Sequence, residues 1–226
     1  MGKNKQFRFT QNATFDHVVQ PGYQELREDR FPLKGRWKEI HFERDAPIVL
    51  ELGCGKGEYT TGLARLDPSR NYIGVDIKGA RIWRGARTAM EQGLTNVAFL
   101  RTHVDHITSC FSKDEVDAIW LTFSDPQLRK ARKRLTSDLF LERYMAILRP
   151  GGSIHLKTDS PVLYEFTMEQ VERHGLLLLE HSRDVYAELV PRVPEQIRDM
   201  LNIRTFYESM WLQEGRKIHF VQFELR

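Results

Sequence analysis

The chain has 226 residues and a mass of 26.6 kDa, enough for one α/β-sized domain with short extensions and too little for two full-sized ones. A hydrophobic fraction of 41% and a charged fraction of 29% supply a sizeable core and exclude a disordered chain. Against 34 Lys and Arg stand 31 Asp and Glu, a net charge of +3, so any binding to a polyanion must come from where the charge sits rather than from its total.

Residues 1–46 are polar and mixed in charge, and they read as an N-terminal extension, either a flexible basic arm or a lid. The start MGKNKQFRFT leads into no apolar stretch, so no signal peptide is expected. Met1-Gly2 resembles a myristoylation site, but Gln6 stands where Ser or Thr is required. After Pro47 the chain alternates. Short apolar runs at 48–52, 72–75, 97–100, 118–123 and 154–156 predict buried strands, with helical stretches at 59–66, 80–91 and 138–148 between them. Short buried strands separated by helices predict a doubly wound, mostly parallel sheet in one α/β domain over 47–226.

Pro150-Gly151-Gly152 is expected to end a helix and turn into a strand. Ser160-Pro161 has the form of an N-cap with proline at the first helical position, and Gly175 is placed to end that helix before 176–179. The tail 218–225 alternates polar and apolar residues and predicts an antiparallel edge strand at the C-terminus. No apolar run approaches the roughly 20 residues needed to cross a bilayer. Two cysteines, Cys54 and Cys110, make neither a disulfide framework nor a multi-cysteine zinc site, and the eight histidines add no ligand-like spacing, so no metal is expected. The cysteine usage points to a reduced, cytoplasmic protein.

The segment LELGCGKGEYT places Gly53, Gly55 and Gly57 in the turn from the first core strand to the first core helix, with Glu51 two residues before. Glycine there permits positive φ and a close backbone approach to a ligand. The spacing G-x-G-x-G is not the G-x-G-x-x-G of a dinucleotide site, and no P-loop is present. It resembles motif I of class I S-adenosyl-L-methionine-dependent methyltransferases, whose Rossmann-like fold is the α/β architecture predicted above. Taken alone, Glu51 reads equally as a solvated acid at a strand end, and Cys54 reads as packing. Asp76 strengthens the resemblance, because it ends the second strand, 23 residues after Gly53, where an acid can accept both hydroxyls of a ribose. The predicted strands also end in Thr102-His103, Ser124-Asp125 and Thr158-Asp159, so the sheet would carry polar groups along one carboxyl edge.

The run 129–134, RKARKR, holds five cations and no acid, and it begins four residues after Asp125. Lys78, Arg81, Arg84 and Arg87 form a second row, spaced by three along a predicted helix. Either run alone reads as a solvated face; with Lys3, Lys5 and Arg8 they could form a phosphate-tracking surface. FSDP after the fourth strand, KTD after the fifth and TFYE near the end together resemble the bacterial tRNA (guanine-N7-)-methyltransferases, from about Ile48 to the C-terminus.

That resemblance implies S-adenosyl-L-methionine as methyl donor, tRNA as partner and N7 of a variable-loop guanosine as target, with no obligatory protein partner and no membrane. It implies cofactor-binding roles for Glu51, Gly53, Gly55, Gly57, Asp76 and Asp125, and puts His103 where the family usually has an acid contacting the cofactor. It assigns Asp125 to catalysis, Arg129 to the place of a substrate-binding lysine, and Asp159, Thr205, Phe206, Tyr207 and Glu208 to substrate contacts. Gln127-Leu128 departs from the family's Trp-Pro, and the following loop is about two residues shorter.

Guanine N7 has a lone pair and no proton to lose, so the reaction is an in-line displacement that needs positioning rather than a strong base. Asp125, with Asp159 or Glu208, is expected to accept hydrogen bonds from guanine N1–H and its amine. Tyr207, Phe206 or Trp211 is expected either to stack on the base or to pack in the ordinary way. Two other readings remain at this stage. A methyltransferase acting on a small molecule or a protein would not depend on the 129–134 run and would show little salt effect. A catalytically silent RNA-binding subunit would have no need to keep Glu51, the three glycines, Asp76 and Asp125, all of which are intact.

Overall fold

A computed structural model describes residues 3–225, apart from the side chains of Lys3, Asn4 and Lys5. The Met1-Gly2 start and the side chains of Lys3 and Lys5 therefore lie outside the described residues. The core strands are β2 (Ile48–Leu52), β3 (Asn71–Val75), β4 (Val97–Leu100), β5 (Val116–Thr122) and β6 (Leu148–Thr158), preceded by a short β1 (Val18–Val19). Every residue of β2 and β3 is buried, as continuous apolar runs in a parallel sheet require. With β7 (Leu177–Ser182) and β8 (His219–Glu224) they form one eight-stranded sheet in the order β1-β4-β3-β2-β5-β6-β8-β7.

The strands from β1 to β6 pair in parallel, and β8 runs antiparallel to both β6 and β7. The C-terminal strand is thus antiparallel as expected, but it is not the outermost one. Its burial explains this: Phe220, Val221 and Phe223 are covered on both faces, whereas the leucines of β7 at 177 and 179 are exposed at the rim. From β2 the chain winds outward through β3 and β4, then returns to lay β5 on the other side of β2. The strand order reverses between β2 and β5, and the crevice beyond their carboxyl ends is where such sheets bind ligands.

Side chains alternate between two apolar cores, Leu50 and Leu52 on one face and Val49 on the other. The helices α3 (Glu58–Leu66) and α4 (Gly79–Glu91) cover the Val49 face; α2 (Tyr23–Arg27), α5 (Ile107–Cys110), α6 (Asp138–Met145) and α7 (Pro161–Arg173) cover the other. Two further helices, α8 (Glu195–Leu201) and α9 (Phe206–Gln213), lie between β7 and β8 in sequence.

The described part of the N-terminal extension is packed against this frame. Helix α1 (Lys3–Asn12) lies on α4, β1 pairs with β4, and Trp37 is fully buried with its indole N–H donating to Cys110 O at 3.0 Å. Ser160 caps α7 by accepting from the Leu163 N–H, with Pro161 at the first helical position, and Gly175 at φ +57° follows its end. The turn expected at Pro150-Gly151-Gly152 falls inside β6. Helix α6 already ends at Met145, and the three residues are accommodated where the register against β5 shifts between Val116 and Ala118. Proline and glycine are tolerated in a strand at such an irregularity.

Candidate active site

The turn leaving β2 is held by its backbone. Gly53 N–H and Cys54 N–H both donate to Val75 O, at 2.8 and 3.0 Å, and Gly57 N–H donates to Cys54 O at 2.8 Å. Gly53, Gly55 and Gly57 all take positive φ, at +79°, +57° and +67°, where a side chain is disfavoured. Their surroundings differ. A Cβ on Gly57 would lie 2.5 Å from the Phe99 ring, so this glycine lets α3 pack on the sheet. A Cβ on Gly53 or Gly55 would meet nothing within 4 Å, so those two face open space.

Asp76, at the end of β3, ties this turn to the next. Its Oδ2 accepts from Gly55 N–H at 2.9 Å and its Oδ1 from Lys78 N–H at 2.7 Å. Each oxygen keeps a lone pair for another donor. Glu51 lies beneath the turn, 3% exposed, and accepts from Thr60 N–H at 2.8 Å and from the hydroxyls of Thr60 and Thr122. Burial raises its carboxyl to about 7 against those three donors, which pull the other way.

A cleft of about 360 Å³ opens at the carboxyl ends of β2, β3 and β4. Gly53, Asp76 and His103 line it, with Ile77, Leu139 and Phe140 as apolar walls. Apolar walls, an open glycine backbone and an acid at the rim can take a flat heterocycle carrying a vicinal diol. This donor set fits the adenosine half of S-adenosyl-L-methionine. Of the remaining expected cofactor residues, Gly55 faces open space beside the cleft, Gly57 serves helix packing and Glu51 is sealed below.

Asp125 stands exposed on the loop after β5, and its Oδ1 accepts from Gln127 N–H at 2.9 Å. Gln127 lines the cleft, so this loop forms its rim. The loop is strained: Phe123 and Gln127 sit at φ +51° and +46°, and Ser124 Oγ is buried without a partner among the described residues. Arg129, Lys130, Arg132 and Lys133 are exposed, and the last two also line the cleft. The fifth cation of the run is not part of that surface. Arg134 is 8% exposed, donates to Pro126 O at 2.9 Å and lies 4.5 Å over the Phe166 ring, bracing the Asp125 loop.

The TFYE run divides in two. Phe206 and Tyr207 are exposed, with the Lys56 ammonium 4.3 Å over the Phe206 ring and Tyr207 stacked on Trp211, which in turn packs on Phe123. Thr205 and Glu208 form the capping box of α9. Glu208 is the clearest departure from the expected substrate contacts. It is fully buried, 2.8 Å from the Lys157 ammonium and 2.6 Å from the Tyr186 hydroxyl, and so is turned away from any base outside. The cause is Lys157, which needs a counter-charge inside the sheet. Asp159 remains partly open and pairs with Arg216 at 3.2 Å. Sequence reasoning gave no role to Lys157, Tyr186 or Lys56. The signal for the first was available: a lysine in the apolar run SIHLKT is out of place unless it is paired.

A family model described as "Putative methyltransferase" matches residues 45–221. The chain is 46% identical over 227 residues to the tRNA (guanine-N(7)-)-methyltransferase of Christiangramia forsetii, covering 99% of each. It is 48% identical over 214 residues to the enzyme of that name from Porphyromonas gingivalis, covering 94% of this chain and 86% of that one. Among solved structures, a 16S rRNA methyltransferase, KamB, superposes with a TM-score of 0.59 at 17% identity, over 78% of this chain and 86% of that one, a likeness of fold.

Proposed function

The chain belongs to the tRNA (guanine-N(7)-)-methyltransferase family, and we propose that Asp125 is the acid at which it methylates N7 of a guanosine in tRNA. The carrying observation is the position of Asp125. It is exposed, with only Oδ1 engaged among the described residues, on the loop whose Gln127 rims the cleft that Gly53 and Asp76 line.

S-adenosyl-L-methionine, the methyl donor, supplies when bound an electrophilic methyl on a sulfonium centre. Asp76 holds the ribose end through its spare lone pairs, and Ile77, Leu139 and Phe140 exclude water around the adenine. Asp125 accepts from the N1–H and amine edge of guanine, which orients N7 and favours the cationic product ring. Phe206, Tyr207 and Trp211 offer aromatic faces for an unstacked base, the way single-stranded RNA is ordinarily held. Arg129, Lys130, Arg132 and Lys133 hold phosphates, which set register without choosing a base.

The test is incubation of the protein with unmodified tRNA transcript and methyl-labelled S-adenosyl-L-methionine, followed by identification of the labelled nucleoside. Label is expected in 7-methylguanosine, and Asp125→Ala is expected to lose it while still binding the methyl donor. Label in another nucleoside sinks the reaction; full activity in the variant sinks the role of Asp125.

A further inference from the structure

Among its described side chains, helix α1 contributes none to either apolar core, yet it is fixed in place. The buried Asn12 amide donates to Gly79 O at 2.7 Å, and Gln11 Oε1 accepts the Trp83 indole N–H at 2.6 Å, so both anchors lie on α4. Between α1, α4 and the start of α3 lies a second cleft, of about 450 Å³, that shares no lining residue with the one at Asp76. Arg8, Lys56, Arg81 and Arg84 line it, with Trp83 beneath the Arg8 guanidinium at 4.8 Å.

Its charge is unbalanced. No ion pair engages Arg8, Lys56, Arg81 or Arg84 among the described residues, although Arg87 on the same helix pairs with Glu91. The one acid in the lining, Glu58, is already accepting from the Phe206 N–H at 3.2 Å. Four cations against this one carboxylate leave the groove with a clear positive excess, which is costly to assemble unless an anion shares it. The cleft also has a direction, because Lys56 both lines it and covers the exposed Phe206 ring. A strand seated on the Phe206 and Tyr207 faces would pass Lys56 and reach Arg81 and Arg84 next.

We propose that the α1–α4 cleft is a second tRNA-docking surface, which takes the sugar-phosphate backbone beyond the target nucleotide and is built by the N-terminal helix for that purpose. This rests on the tRNA reading above. It gives α1 a task that the cores do not, and it separates two cationic surfaces: the Arg129–Lys133 side beside the methyl donor, and the α4 side away from it.

Arg81→Glu/Arg84→Glu, in the full chain, tests it through the KM for tRNA transcript, direct tRNA binding, S-adenosyl-L-methionine affinity and the melting temperature. The expected result is a rise of about tenfold in KM and a matching loss of binding, with the last two readouts unchanged. The same charge change at the opposite edge of the sheet, Arg65→Glu/Lys113→Glu, is expected to move KM by less than about twofold. Equal effects from both pairs, or none from the first, overturn the proposal. Arg81→Gln/Arg84→Gln is expected to reduce the slope of log Kd against log salt by about two, and an unchanged slope also overturns it. A wild-type protein that neither binds nor methylates tRNA overturns the tRNA reading and this proposal with it. Wild-type activity beside an unaffected double variant overturns the cleft alone.

Discussion

Lys157 Nζ and Glu208 Oε1 lie 2.8 Å apart with neither side chain exposed to solvent. The ammonium also donates to Leu201 O at 2.7 Å and Ile203 O at 3.1 Å, so one charge in β6 fastens the end of α8 and the turn that follows it. Burial pulls the Lys157 ammonium below its usual range, and the Glu208 carboxylate opposes that pull. Through the capping box the same carboxylate sets the start of α9, which carries Phe206 and Tyr207.

Removing one partner leaves the other charged and alone in the core. Lys157→Met is therefore expected to cost about 3–5 kcal/mol in urea unfolding, far more than an exposed lysine would. Adding Glu208→Gln to it is expected to restore part of the loss, because the orphaned carboxylate is then gone. A double variant that loses the sum of the two single effects would show that the ion pair carries no coupling.

Glu51 makes a pH-dependent contribution whose sign is fixed by its burial. Its folded carboxyl is raised to about 7 from an ordinary 4.5. The folded state therefore binds the proton more tightly than the unfolded chain does. The resulting stabilisation, roughly 3 kcal/mol, is fully present below pH 4.5 and is lost as pH rises through about 7. His155 works the other way: burial lowers it to about 3, so its contribution is present above 6.5 and lost as pH falls. The total pH profile thus mixes opposed terms, and the informative quantity is a difference. Between pH 5 and pH 8 the wild type is expected to lose roughly 3 kcal/mol more than Glu51→Gln. Parallel profiles for the two proteins would place the Glu51 titration elsewhere.

The sheet was legible because parallel strands buried on both faces read as bare apolar runs, and β2 to β5 fell within two residues of their predicted places. The rim of the cleft was legible for a related reason, since every such run ends in Gly, Asp or Thr at one edge. Burial was not. Nothing local distinguishes Glu208, sealed behind Lys157, from the exposed Phe206 and Tyr207 beside it, because the partner lies 51 residues away in strand β6. Arg134 was hidden likewise inside a run of cations whose other members face water. The edge position expected of β8 failed because period-two alternation marks an antiparallel strand but does not say which neighbour lies outside it.

Gly53 and Gly57 are expected to separate by experiment. Gly57→Ala puts a Cβ 2.5 Å from the Phe99 ring at φ +67°, so it is expected to cost more than about 2 kcal/mol of stability. Gly53→Ala meets open space and bears only the backbone strain, about 1 kcal/mol, while its new methyl stands at the cleft proposed for the methyl donor. Unfolding and S-adenosyl-L-methionine titration, run on both variants, should give a stability defect for Gly57→Ala and an affinity defect for Gly53→Ala. The reverse pattern would reassign which glycine faces the ligand.

The basic loop divides in the same spirit, and here the two roles bear on the RNA. Arg129 and Lys130 are exposed, so their replacement by Ala is expected to change stability by no more than about 0.5 kcal/mol. Each should weaken tRNA binding and flatten its salt dependence by about one in slope. Arg134 is held by Pro126 O and the Phe166 ring, and Arg134→Ala is expected to cost about 1–3 kcal/mol. Because Pro126 follows Asp125, freeing its carbonyl loosens the loop that presents the acid, so this variant should lose turnover at saturating tRNA while keeping the wild-type salt slope. Binding across a salt series, turnover and urea unfolding on the three variants decide the matter. An Arg134→Ala protein of wild-type stability with a flattened salt slope would return that arginine to the phosphate-binding surface.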